Sequence, residues 1–343
     1  MINVALVILL LCGGGCDLPL PCDLNRDCEI NMEDLFIMVD QWLGESGAAH
    51  PSGIDCNNTV NFARLLEQWG NKGGRSCNEC EDWQKRHPAW IFCDDFDGGT
   101  PLRRKGRYFE YDDNGGGFVI VEGIGINASS GMRTILQAGE VGAGSLKLAF
   151  GRVPSRYFDM GIRNTEDFRD IYYRIYMKEQ AGWQGSPAKL SRATVFADSN
   201  WSQAMIAHLW SSGDYLLIDP ASGVDEYGNV VTTKYNDFAN LHWLGNKRGT
   251  TPIFDPGYDD RWYCIETHVR LNDPGKSNGI QEFWIDGNLE ARRDGLNFVG
   301  SYTSYGINAI FIENYWNAGS VKQQERYFDN FVVSTERIGC MCE

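Results

Sequence analysis

Three periodicities of apolar residues follow one another along the chain. Residues 2–12 form an apolar run that is too short to cross a bilayer as a helix and has the length of a signal-peptide core. Leu35, Met38, Val39, Trp42 and Leu43 then recur at intervals of three and four, which predicts an amphipathic helix, and Phe62, Leu65, Leu66 and Trp69 repeat the pattern. From Trp90 to the C-terminus the period falls to two, in short runs broken by Gly, Asn, Asp and Pro. Such alternation, without a long amphipathic helix, predicts a mainly β fold, an antiparallel sandwich or jelly roll.

Individual strands can be read face by face, because successive side chains point to opposite sides. In IYYRIYMK, Ile171, Tyr173, Ile175 and Met177 make an apolar face, and Tyr172, Arg174, Tyr176 and Lys178 an aromatic and basic one. In WYCIETHVRLN, Trp262, Cys264, Glu266, His268 and Arg270 share one face and Tyr263, Ile265, Thr267 and Val269 the other. In MIAHLW, Ile206, His208 and Trp210 lie together. The stretch 211–251 reads as long loops, to which Lys234, Tyr235, His242, Trp243, Lys247 and Arg248 give a cationic, aromatic character.

Composition narrows the partners. A net charge of -15 over 343 residues argues against nucleic acid as a general partner, because phosphate binding needs a basic surface. A local basic cleft for an acidic sugar polymer is compatible with that charge. Eleven cysteines point to an oxidising compartment and to disulfides. Cys77 and Cys80 form a CxxC and Cys340 and Cys342 a CxC, without the second pair or the paired histidines of a zinc site. Cys93 and Cys340 flank the large domain and are candidates to tie its ends. No run is long and apolar enough to span a membrane. Gly13, Gly14 and Gly15 before Cys16 resemble a lipoprotein processing site, so a lipid anchor at Cys16 and simple secretion both stand as readings. The resulting layout is an export signal (1–16), a small module (17–72), a linker (73–89) and a large β domain (90–343).

In the small module, DLNRDCEINMED places Asp23, Asn25, Asp27, Asn31 and Asp34 at the first, third, fifth, ninth and twelfth positions of an EF-hand loop, the spacing that surrounds a structural calcium ion with hard oxygens. A second unit with Asp55, Asn57, Asn58 and Asn61 has a shorter loop and carries Arg64 where the last acidic ligand belongs, so one calcium is expected. The two α-helical, EF-hand-like units in tandem resemble a type I dockerin. That resemblance implies a cohesin-like scaffold partner; the other reading is a calcium-stapled spacer. Cys28 and Cys56 occupy comparable places in the two units and are candidates for a disulfide.

In the large domain, WYCIETHVRLNDPG, NGIQEFWIDG and RYFDNFVVSTERIG are similar to concanavalin A-like jelly-roll domains, particularly polysaccharide lyases of the alginate and glucuronan lyase type. The resemblance implies β-elimination on a uronic-acid polysaccharide at a site on the concave face of the sheet. Such chemistry needs a donor against the carboxylate, a base, and an acid near the leaving oxygen. Arg174 is the first candidate clamp, with Lys178, Lys189 and Arg192 extending a basic path. His208, Tyr176 and Tyr235 are candidates for base and acid, with His268 behind them, although His268 with Glu266 reads first as a structural or rim pair; Tyr172 and Trp210 are candidate stacking platforms. Two other classes stay open. A glycoside hydrolase would draw its carboxylates from Glu266, Asp286 and Glu313, and a non-catalytic, laminin G-like or lectin-like glycan-binding domain would need only the aromatics.

Overall fold

The computed structural model describes residues 79–341. The export signal with Cys16, the loop of Asp23, Asn25, Asp27, Asn31 and Asp34, and the Cys28–Cys56 pairing all lie outside the described residues.

The compact unit Glu79–Cys340 opens with a single short helix, α1 (Trp83–Arg86), and continues as two antiparallel sheets. Sheet one runs, in spatial order, β14 (Asn288–Leu296), β13 (Gly279–Ile285), β12 (Tyr263–Arg270), β6 (Asp170–Glu179), β16 (Gln324–Ser334), β4 (Gly131–Leu136) and β3 (Phe118–Val121), with β1 (Trp90–Asp94) paired to the other half of β16. Sheet two runs β10 (His242–Trp243), β9 (Tyr215–Ser222), β8 (Gln203–Ser212), β7 (Lys189–Phe196), β15 (Ala309–Tyr315), β5 (Gly142–Ala149) and β2 (Glu110–Asp112), with β11 (Lys247–Arg248) also on β9. Strands that are neighbours in space come from distant parts of the sequence, as in a jelly roll.

The period of two explains the layering. Ile171, Tyr173, Ile175 and Met177 of β6 and Tyr263, Ile265 and Val269 of β12 face Met205, Ala207 and Leu209 of β8 and Ile310 and Ile312 of β15 in one continuous core. The WIDG sequence closes the β13–β14 hairpin: Asp286 and Gly287 both take positive φ (50° and 77°), the two-residue turn that matches the twist of antiparallel strands and favours glycine.

Two expectations are corrected. Cys93 pairs with Cys80, and Cys340 with Cys264, rather than Cys93 with Cys340. Cys264 lies on β12, three strand spacings or about 14 Å from β1, and Cys340 lies beside it. Two disulfides fit an oxidising, extracellular setting. The stretch 211–251 is not all loop, since residues 215–222 form β9, turned back on β8 at Gly213 and Asp214. Among the described residues no helix is long and apolar enough to cross a membrane.

Candidate functional site

The candidate residues divide between the two outer faces of the sandwich. Tyr172, Arg174, Tyr176 and Lys178 alternate with core residues of β6, and Glu266 and His268 with core residues of β12, so all six point away from the core on sheet one. His208 and Trp210 on β8 and Lys189 and Arg192 on β7 point away from it on sheet two, where Tyr235 joins them. Arg174 and His208 therefore do not share a site.

On sheet one the charged residues hold the two ends of the unit. Buried Arg174 pairs with Glu79 and donates to the Gly339 carbonyl (3.0 Å). Glu266 accepts the backbone N–H groups of Ile338 (2.7 Å) and Gly339 (3.2 Å). His268 is hydrogen-bonded to Glu282 and Asp170, 2.7 Å on each side, and stacks on Tyr172 at 4.1 Å. These side chains are occupied with the fold.

Sheet two presents a different surface. An extra residue in β7 makes a bulge between Lys189 and Ser191: Leu190 enters the core, and Lys189 and Arg192, three apart, emerge on the same side. Across the strands they fall into two rows, Tyr315–Lys189–Trp210 and Phe311–Arg192–His208–Asp219.

Arg192 is buried and fully engaged. Its Nε and Nη2 meet both oxygens of Glu313 (2.8 and 2.5 Å), and Nη1 donates to Asn236 Oδ1 (2.5 Å). Tyr235 donates to Glu313 at 3.2 Å. Gln203 fixes the loop behind them by accepting the Asn236 N–H (2.9 Å) and donating to Thr194 (3.0 Å). Burial pushes Tyr235 well above the usual phenol range, against the pull of Arg192, so it stays a neutral donor rather than a base. Glu313 is held below the usual carboxylate range: burial raises it, but Arg192 outweighs burial.

His208 is the poised group. Its Nδ1 lies 3.0 Å from the Asp219 carbonyl, and a carbonyl can only accept, so Nδ1 carries the hydrogen and Nε2 the free lone pair. Nε2 is buried without a hydrogen-bond partner. Burial and the charges of Arg192 and Lys189 hold the imidazole well below its ordinary pKa, hence neutral. Trp210 (4.1 Å), Trp243 (5.6 Å) and Phe238 (6.3 Å) roof the ring, the last two more than a third exposed to solvent. Beside this roof Lys189 lies 4.3 Å from the Tyr315 ring centroid and 5.8 Å from that of Phe238. Of the three cations on β5, β7 and β15, Lys147 pairs with Glu110 and Arg192 with Glu313, leaving Lys189 without an ion pair among the described residues.

Tyr315, Asn236, Gln203 and Phe238 belong to this surface and were absent from the sequence-based candidates. The alternation Phe311, Glu313, Tyr315 in FIENYW marks Tyr315 as outward-facing. Asn236 and Phe238 lie outside the strands, where alternation has no purchase.

No protein-family model matches the chain, and no curated protein matches it. Solved structures with similarity to it include an endo-β-1,4-glucuronan lyase from the fungus Trichoderma reesei (13% identity, 72% of this chain and 96% of that one, TM-score 0.45). Two others are the alginate lyase vAL-1 from a Chlorella virus (12%, 73% and 95%, 0.44) and a PL-14 alginate lyase from the marine Aplysia kurodai (12%, 72% and 99%, 0.43).

Proposed function

We propose that the outer face of sheet two cleaves a uronic-acid-containing polysaccharide by β-elimination. One observation carries the reading: a neutral histidine with its Nε2 lone pair free stands in a cationic patch whose one unpaired cation, on the central strands, is Lys189. Lys189 would neutralise the uronate carboxylate, which acidifies the neighbouring C5 hydrogen. His208 Nε2 takes that proton; the electron pair left on C5 forms the C4–C5 double bond as the C4–oxygen bond breaks. The departing oxygen takes a proton from a neighbouring hydroxyl, for which Tyr315 beside Lys189 is placed. Trp243 and Phe238 are the part of the roof that must move to admit the sugar.

A hydrolase needs two carboxylates flanking one bond, about 5 to 9.5 Å apart. Glu266 and Asp286 belong to sheet one, and Glu313 is bound to Arg192 on sheet two. Asp219, raised to about 6 by burial, stands three strands from Glu313, about 14 Å in strand spacing. The complete burial of His208 favours a second reading, a glycan-binding face in which exposed Trp243, Phe238 and Tyr315 stack on sugars.

The test is a screen of the full chain against polyglucuronate, alginate, pectate and neutral glucans. Ultraviolet absorbance from an unsaturated uronate end, lost in His208→Asn, supports elimination. Reducing ends without that absorbance would establish hydrolysis, and binding without either product would establish the second reading. The calcium loop at 23–34 and a cohesin-like partner are part of the same proposal, with one calcium per chain expected by titration.

A further inference from the structure

A second surface with the chemistry of a ligand site lies on the back of the sandwich, across sheet one. By register Arg133 on β4 stands beside Tyr327 on β16, and Tyr327 beside Lys178 on β6. Trp262, the residue before β12, continues the row, because the next pair along is Tyr263 with Met177. All four point outward, since their neighbours Met132, Phe328, Met177 and Tyr263 fill the core. The Lys178 ammonium lies 5.1 Å from the Tyr327 ring centroid and 5.3 Å from that of Trp262. The row alternates cation, aromatic, cation, aromatic at right angles to the strands.

The cations of this row differ from the most deeply buried arginines of the unit. Arg107, Arg174, Arg192 and Arg326, all largely buried, each face a carboxylate. Partly buried Arg133 and Lys178 have no ion pair among the described residues, and Arg133 Nε is buried without a hydrogen-bond acceptor. Acidic groups do stand nearby: Glu325 accepts from the Tyr327 hydroxyl (2.8 Å), and Asp260 is close to the same ring. In a chain of net charge -15, carboxylates to pair these two cations are abundant, yet the row keeps them apart from one another by a ring face.

We propose that this row binds an anionic polysaccharide, with uronate carboxylates on Arg133 and Lys178 and sugar faces on Tyr327 and Trp262. The spacing fits. Adjacent strands are about 4.8 Å apart, close to the length of one sugar in an extended chain, so cations on alternate strands meet carboxylates on alternate sugars, those that a twofold ribbon turns to the same side. The row lies behind the sandwich from His208, and its Tyr327 hydroxyl, pushed up to about 12 by burial, is a donor already given to Glu325, so the row holds the polymer without cleaving it. It relies on the proposed function only for the class of polymer.

The test is calorimetric titration of the full chain, carrying His208→Asn to prevent turnover, with short oligoglucuronate and oligomannuronate. Two classes of site are expected. Adding Lys178→Glu should weaken one of them about tenfold or more, as loss of a charge-assisted contact predicts, and Trp262→Ala should weaken the same one. Lys178→Met, a gentler change, should weaken it less, and unchanged melting temperatures separate loss of binding from loss of fold. A single site that responds to Lys178→Glu supports the row and removes the cleavage face as a binder. Sites indifferent to both Lys178→Glu and Trp262→Ala, or no uronate binding at all, would overturn the proposal.

Discussion

Glu313→Gln isolates the electrostatic keystone of the candidate site. The substitution keeps the shape and one acceptor but removes the charge that faces Arg192, whose side chain is fully buried while that of Glu313 is 11% exposed. Breaking a buried pair from one side leaves an uncompensated charge and costs about 3 to 5 kcal/mol; the lower figure suits a variant that retains an oxygen. A unit the size of Glu79–Cys340 has an unfolding entropy of roughly 0.5 kcal/mol per kelvin, so about 3 kcal/mol lowers the melting temperature by about 5 °C. Calorimetry at pH 7 measures this directly. Because Arg192 holds Glu313 below the usual carboxylate range, its contribution is complete above the unfolded carboxylate pKa and is lost as pH falls through the folded value. The gap between wild type and variant should therefore narrow as pH falls below the unfolded value of about 4.5. The double change Arg192→Met, Glu313→Leu should recover most of the loss, since apolar residues of similar volume leave no orphan charge. A Glu313→Gln protein that melts within a degree of wild type at pH 7, or a gap that persists in acid, would refute the reasoning.

Two further outcomes concern pH. His208 is held neutral by burial and by Arg192 and Lys189, so its unfolded form binds a proton that the folded form refuses; wild type should lose about 1.4 kcal/mol of stability per pH unit below roughly 6.5 relative to His208→Asn. Denaturant titrations at pH 7.5, 6.5 and 5.5 check this, and parallel profiles for the two proteins would count against it. Asp329 has the opposite sign: burial raises it to about 7, although it accepts from the Ile126 N–H and the Ser129 hydroxyl. Its ionisation penalty is absent below the unfolded pKa near 3.8 and grows as pH rises to 7, reaching about 4 kcal/mol. Asp329→Asn should thus gain on wild type between pH 4.5 and pH 8, and a constant difference in unfolding free energy would contradict the assignment.

Much of the fold was legible because local rules decide it. The inward sets of β6, β8 and β12 follow from alternation alone, and the WIDG turn follows from its Asp-Gly pair. Strand β9 was hidden by Pro220, which signals a turn. It is tolerated because it falls between the two short partners of β9: β10 pairs with Ala221 and Ser222, and β11 with Leu217 and Ile218. Sheet membership has no local signal. The outward faces of β6 and of the β7–β8 pair both carry aromatic and basic residues, yet long-range pairing sets them on opposite sides of the sandwich. The disulfides follow the same rule, since Cys264 meets Cys340 across 76 residues.

The candidate site itself turns on one residue that alternation misplaces. Counted by twos from Arg192, Lys189 would enter the core and Leu190 would face solvent, and the surface beside His208 would carry one cation already committed to Glu313. The bulge at Leu190 reverses this, burying the leucine and turning the lysine outward next to Tyr315. A bulge inserts a residue at a cost in ladder hydrogen bonds, so its persistence in a central strand, flanked by β8 and β15, needs a compensating gain. Burial of Leu190 supplies part of it. The bulge also sets Lys189 beside Tyr315, within electrostatic reach of Glu313 but without a direct ion pair, which is where the proposed elimination would need a cation to meet the uronate carboxylate.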